Sequence, residues 1–139
     1  MILLDTNVVS EPLRLGPDAR VVEWIDAQPL ETLFLSSITV AQLRAGMALL
    51  PAGKRRAGLQ ESLETRVLPL FAGRVLAFDL GCTQAYAELM AKARAAGLTI
   101  ASADGYIAAI AAANGLAVAT RDTGPFAAAG VKVINPWQP

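Results

Sequence analysis

The sequence predicts an α/β fold in which a mainly parallel β-sheet carries helices on both faces. Three observations lead there. Short runs that are apolar at every position recur along the chain, as suits strands buried on both sides. Helical patterns separate these runs, and strands that alternate with helices pair in parallel through crossovers. Apolar residues make up 54% of the chain and charged residues 17%, a balance that favours a core covered from more than one side. The 139 residues suit one domain, 1–139, with no repeat, low-complexity tract or linker to divide it.

The first strand is Ile2 to Leu4, which runs straight into Asp5-Thr6-Asn7. Asp18 is placed to cap a helix carrying Val21, Val22, Trp24 and Ile25. Leu33 to Leu35 form the second strand. Thr39 is placed to cap a helix with Leu43, Met47 and Leu50, ended by Pro51-Ala52-Gly53. Leu59, Leu63 and Val67 form the stripe of a helix expected from Lys54 to Leu68. Val75 to Phe78 give a third strand, and Asp79 reads as a cap. A helix from Cys82 to Ala96 stops at Gly97, and another from Ser102 to Ala113 stops at Asn114-Gly115. Its Ala108, Ala109, Ala111, Ala112 and Ala113 predict close contact with a neighbour. Leu116 to Ala119 and Val131 to Ile134 complete the strands.

Composition removes several chemistries. The chain has no histidine, which excludes serine–histidine triads, histidine bases and ordinary zinc sites. The lone cysteine, Cys82, has neither a disulfide partner nor an activating imidazole and reads as a small buried residue. Twelve basic residues balance twelve acidic ones, so nucleic-acid binding must come from local patches or bound cations. No secretory signal pattern opens the chain and no apolar run reaches membrane-spanning length, so the expected location is cytoplasmic. A P-loop is absent, and a phosphotransfer enzyme with Asp5 as nucleophile would need an aspartate where Asn7 stands.

In parallel sheets, ligands bind beyond the carboxyl ends of the strands. Asp5 and Asp122 fall at such ends, and Asp104 falls in the first turn of the Ser102 helix. Carboxylates gathered there repel one another by several kcal/mol unless cations hold them. Oxygen donors without sulfur or imidazole select magnesium, with manganese as the alternative. Each residue also has an ordinary role: Asp5 and Asp122 as turn residues, Asp104 as a partner of the helix dipole. Spacing alone leaves these alternatives open.

Five segments in order resemble the VapC-like PIN-domain ribonuclease toxins, in particular the FitB-type branch. They are Met1-Ile-Leu-Leu-Asp-Thr-Asn-Val-Val-Ser-Glu-Pro, Ser37-Ile-Thr-Val-Ala-Gln-Leu-Arg-Ala-Gly, Leu68-Pro-Leu-Phe-Ala-Gly-Arg, Ala103-Asp-Gly-Tyr-Ile-Ala-Ala and Ala119-Thr-Arg-Asp-Thr-Gly, with Asn135-Pro-Trp closing the set. No single segment is specific; the ordered set is. The resemblance implies a three-layer α/β/α sandwich, metal ligands at Asp5, Asp104 and Asp122, and Thr120 as a supporting hydroxyl. It implies magnesium-dependent endonucleolytic hydrolysis of RNA by the toxin of a toxin–antitoxin pair. The implied partners are an antitoxin of ribbon–helix–helix type, operator DNA reached only through that antitoxin, and a second copy of the chain in a homodimer.

The departure is Gln42, where the family pattern Ile-Thr-x-x-Glu-Leu has glutamate and this chain has Ile38-Thr39-Val-Ala-Gln42-Leu43. Thr39-x-x-Gln42 also reads as a capping box that glutamine serves as well as glutamate. A neutral amide adds no charge and takes no proton, so attenuated catalysis is expected. A non-catalytic module that keeps antitoxin binding and operator regulation is the alternative. Lys54, Arg55, Arg56, Arg66 and Arg74 are candidates for contact with phosphates or with acidic groups of the antitoxin, or for solvated surface, and Arg44 and Arg121 for pairing with the acidic site or with an antitoxin carboxylate. Tyr106 is a candidate for base stacking or core packing, and Trp24 and Trp137 read as packing residues.

Overall fold

The computed structural model describes residues 1–139. Strands β1 (Ile2–Leu4), β2 (Leu33–Ser36), β3 (Val75–Leu76), β4 (Ala117–Ala119) and β5 (Val133–Ile134) form one sheet in the order β3-β2-β1-β4-β5. Every pairing is parallel, as the alternation of strands and helices predicts. Leu3 pairs with Phe34 on one side and Val118 on the other. The chain winds outward from β1 to β3, then returns to the far side of β1 for β4 and β5. The reversal opens a crevice at the carboxyl ends of β1 and β4, where parallel sheets take their ligands.

The helices are α1 (Thr6–Ser10), α2 (Ala19–Ala27), α3 (Ser37–Ala48), α4 (Lys54–Ser62), α5 (Leu80–Ala95), α6 (Ser102–Ala113) and α7 (Thr123–Ala128). They cover both faces of the sheet. Successive strand residues point to opposite sides, so Leu3 and Val118 join the core against α5, α6 and α7 while Leu4 and Ala119 join the core against α1, α2 and α3. These are the three layers of an α/β/α sandwich.

Helix α6 is the centre of one face. Ala108, Ala109 and Ala111 are buried as expected, whereas Ala112 and Ala113 are exposed at its end. Gly105 lets α6 approach α5, because a Cβ there would stand 3.1 Å from the Tyr86 ring and 3.3 Å from the Met90 sulfur. That close seat fixes the first turn of α6 and the residue before Gly105, which is Asp104.

Asp18 caps α2 by accepting from the Arg20 amide at 2.9 Å, and Asp79 caps α5 by accepting from the Cys82 amide at 3.2 Å. Three expectations need correction, and two short helices are new. Thr39 does not cap α3: Ser36 does, accepting from the Thr39 amide at 3.0 Å, because β2 runs directly into the helix. The Lys54–Leu68 helix ends at Ser62 and continues as a π-helical turn over Leu63–Val67 and a 3-10 turn over Leu68–Phe71. Its predicted stripe still faces the core, with Leu63 buried and Leu59 and Val67 packed against it. The third and fifth strands contribute only two residues each to the ladder. Helices α1 and α7 were not anticipated, since five and six residues are too few to display a helical period.

Candidate active site

Asp5 leaves the end of β1 and is the N-cap of α1. Its Oδ1 accepts from the Thr6 amide at 2.8 Å and its Oδ2 accepts from the Thr120 hydroxyl at 2.7 Å. Thr120 follows β4 and is fully buried. Besides donating to Asp5, its oxygen accepts from the Asp122 amide at 3.0 Å and from Asn7 Nδ2 at 3.4 Å. Asn7 Oδ1 in turn accepts from the Arg121 amide at 3.3 Å. The one proton and two lone pairs of the Thr120 hydroxyl are therefore all used, and they tie the ends of β1 and β4 together.

A cleft over these strand ends is lined by Asp5, Thr6, Asn7, Ser10, Gln42, Asp104 and Asp122. The structure thus brings every predicted acid to one place, with Gln42 at its edge and Thr120 beneath Asp5. No basic or apolar side chain lines it. Burial is the main cause that raises the Asp5 carboxyl above its ordinary range; the Thr120 and Thr6 bonds oppose this and the charge of Asp122 adds to it. Asp104 is raised as well, chiefly by burial and then by the charges of Asp5 and Asp122. The carboxylates therefore feel one another with no cation between them.

Such a cleft suits a hard divalent cation by the chemistry of its donors, which are carboxylate, hydroxyl and amide oxygens with no sulfur or imidazole. The acids are not drawn into a ready coordination shell, for no three of them stand at the spacing that would hold one ion. Asp5, Asp104 and Asp122 are the residues that would hold it.

Gln42 sits in the second turn of α3, away from the helix start, so the capping-box reading of this residue is corrected. Its Oε1 accepts a short hydrogen bond from the Thr6 hydroxyl. Thr6 Oγ1 also lies 3.2 Å from Thr39 Oγ1, which accepts from the Ser36 hydroxyl at 3.2 Å. With one proton per hydroxyl, and that of Thr6 given to Gln42, Thr39 is the donor between the two threonines. A chain of hydroxyls from the buried end of β2 thus ends on position 42.

Thr6, Asn7 and Ser10 were missed as site residues. The signal was present in Asp5-Thr6-Asn7, but it reads equally as a turn. Several secondary candidates have structural partners. Arg44 pairs with Glu64 at 2.9 Å, and Arg74 donates to the carbonyls of Leu33 and Leu70. Tyr106 is half-buried, stacks on Tyr86 of α5 with centroids 4.9 Å apart and meets Phe78 edge-on at 5.0 Å, which is the packing role. The Arg121 guanidinium lies 5.1 Å over the buried Trp137 ring. Cys82 is buried, and that burial raises its thiol pKa.

The model of the PIN domain matches residues 2–132. The chain belongs to the PIN-domain family. Relatives place it on the VapC and FitB branch. It is 60% identical to the VapC ribonuclease Y4jK of Sinorhizobium fredii, over 100% of this chain and 99% of that protein. It is 58% identical to the toxin FitB of Neisseria gonorrhoeae, over 99% of each. A solved structure of FitAB bound to a DNA fragment superposes with a TM-score of 0.95 at 55% identity, over 99% of this chain and 96% of that one. The PIN fold anticipated from the ordered segments is the fold observed.

Proposed function

We propose that this PIN domain is the toxin of a toxin–antitoxin pair and a magnesium-dependent endoribonuclease whose activity is attenuated by Gln42. The observation that carries the reading is the cleft itself: it gathers Asp5, Asp104 and Asp122 with no cationic side chain among them, and after burial the charge of Asp122 raises both Asp5 and Asp104 while that of Asp5 raises Asp104. A fold gains nothing from such a conflict unless a ligand resolves it. The names of the relatives supply the substrate class, since one is a ribonuclease and another a toxin.

Magnesium or manganese, when bound, would supply positive charge to polarise a phosphodiester and to acidify water. The chain's own residues do the positioning. Thr120 and the Thr6 amide hold both oxygens of Asp5, leaving their remaining lone pairs for the ion. Asp104 from α6 and Asp122 from the start of α7 line the same cleft and would help to hold it. At position 42 a glutamate could accept a proton; the glutamine offers only an oxygen already engaged by Thr6. That engagement favours the second reading, a non-catalytic module that binds its antitoxin and regulates an operator without cleaving RNA.

Labelled RNA incubated with and without magnesium separates the two. Cleavage that appears only with the metal, and fails in Asp5→Asn, supports the nuclease. Absence of cleavage in both the parent chain and Gln42→Glu leaves the binding module.

FitAB on DNA supports an antitoxin partner, which we assign to the ribbon–helix–helix type, with operator DNA reached through it. No helix is long and apolar enough to cross a membrane, and an RNA-cleaving toxin would act in the cytoplasm. Homodimer formation rests on the family, because the close contact predicted for Ala108, Ala109 and Ala111 is made inside the protomer. Light scattering at high micromolar concentration should report a dimer; a monomer throughout would refute it.

A further inference from the structure

The acidic cleft does not end at Gln42. It shares Thr6, Ser10 and Gln42 with a groove between α1 and α3, and that groove shares Leu13, Arg55 and Leu59 with a third depression along α4. The far end is walled by Lys54, Arg55 and Arg66. Beyond the cleft, no acidic residue lines either stretch. The three cations are exposed and none takes part in an ion pair, although the chain has as many acidic residues as basic ones. Lys54 and Arg55 also occupy the first turn of α4, where the helix dipole disfavours positive charge. Arg66 lies in the last turn of its π-helical segment, where positive charge is favoured, so it is the placement of Lys54 and Arg55 that local stability does not explain.

We propose that this groove holds single-stranded RNA on one side of the scissile phosphate, with backbone phosphates at Lys54, Arg55 and Arg66 and bases over Met47, Leu50 and Leu59. The proposal rests on the ribonuclease reading of the cleft. Charge order argues for RNA over an acidic peptide. A peptide with carboxylates matching the basic end would meet three further carboxylates at the other. A phosphodiester chain would be received at both ends, by Lys54, Arg55 and Arg66 at one and, at the other, by the positive charge of a divalent cation that Asp5, Asp104 and Asp122 would hold. The apolar middle suits bases, whose faces need no specific hydrogen bond.

The test is binding of fluorescein-labelled oligouridine by anisotropy in calcium or chelator, where cleavage does not intervene. Replacing Lys54, Arg55 and Arg66 together by alanine should weaken binding about tenfold or more. It should also flatten the dependence of log affinity on log salt by about two units, at about 0.7 per lost contact. Gly58 gives a variant that removes no contact. It lines the basic end within α4, and a Cβ there meets nothing within 4 Å. Gly58→Glu should improve the helix and raise the melting temperature slightly while weakening RNA binding; Gly58→Ala should do only the first. In a Gln42→Glu background, the triple variant should raise KM for long RNA and leave a dinucleotide substrate unaffected. RNA affinity and salt slope unchanged in both the triple variant and Gly58→Glu would overturn the proposal. So would unchanged RNA binding with lost binding of polyglutamate, which would assign the groove to a protein partner. Groove-dependent binding without any cleavage would uphold the groove and defeat the nuclease reading alone.

Discussion

Two acidic regions, one built on Asp5 and the other on Glu11 six residues later, are opposite in physical character. At the corner after α1, Glu11 is buried, pairs with Arg14 at 3.2 Å and accepts from the Asp18 amide at 3.0 Å. Asp18 has Arg20 at 2.8 Å, and that partner holds its carboxyl below the usual range. Every charge there is answered by the fold. At the cleft, Asp5 and Asp104 are raised, facing each other and Asp122 with no arginine or lysine among them. The same functional group is structural where the chain supplies its counter-charge and available for chemistry where it does not. Exposure does not separate the two cases, since Glu11 and Asp5 are equally buried.

The largest effect should follow from removing charge at the cleft. Asp5→Asn or Asp104→Asn should abolish magnesium binding by calorimetry, and with it RNA cleavage, while circular dichroism stays that of the folded protein. Unchanged metal affinity in both variants would erase the contrast between the regions.

Adding charge comes next. Gln42→Glu keeps an oxygen for the Thr6 hydroxyl and adds a group able to take a proton, a contribution typically worth ~10²–10⁴ in rate. RNase activity and growth inhibition should rise by about that factor. Without metal, stability should change by no more than about 1 kcal/mol, because Ser36, and not position 42, caps α3. A folded, magnesium-binding Gln42→Glu that cleaves no faster would remove position 42 from the chemistry.

At the other region the loss should appear in stability. Glu11→Ala leaves the Asp18 amide and Arg14 without their acceptor, a cost of about 1–3 kcal/mol in urea unfolding. Magnesium affinity should hold. A variant that loses metal binding but no stability would reverse the roles assigned to the two regions.

The smallest effect is a pH dependence of opposite sign. A carboxyl raised in the folded state binds protons more readily there than in the unfolded chain, so its contribution to stability falls as pH rises through the folded value. Asp5 and Asp104 should therefore make the metal-free protein gain stability, relative to Asp5→Asn, as pH falls from neutral toward the ordinary carboxylate range. Asp18 is lowered, so its contribution is present above the ordinary range and lost as pH falls through its folded value. Melting temperatures in chelator, parent against Asp5→Asn, test the first sign. A difference that does not vary with pH would contradict it.

Strand positions, the long helices α5 and α6, two caps and the three acids were legible because each leaves a local trace. All-apolar runs mark buried strands, a helical stripe needs several turns to show, and a capping aspartate stands just before its helix. The order of the motifs was enough to reach the family. Where the signal was short or shared, reading along the chain failed. Thr39 and Ser36 lie three residues apart and both can cap; the turn out of β2 selects Ser36. Helix α1 is too short for a period, yet it carries Thr6, Asn7 and Ser10 to the cleft. Tyr106 beside Asp104 gave no sign of the Tyr86 and Phe78 rings it packs against, which come from a different part of the chain.

Partnership across the chain divides what composition and pattern determine from what folding decides. Asp5 and Thr120 are 115 positions apart, and Thr6 and Gln42 are 36 apart. Residue types and periodicity set which chemistry is possible: no histidine, hard oxygen donors, acids at strand ends. They carry no information about which carboxylate is given an arginine and which is left facing another carboxylate. That follows from the reversal of strand order at β1, which sets the ends of β1 and β4 side by side. It follows also from the packing of α3 and α6 over those ends, because electrostatic conflict depends on distance in space and not on separation along the chain.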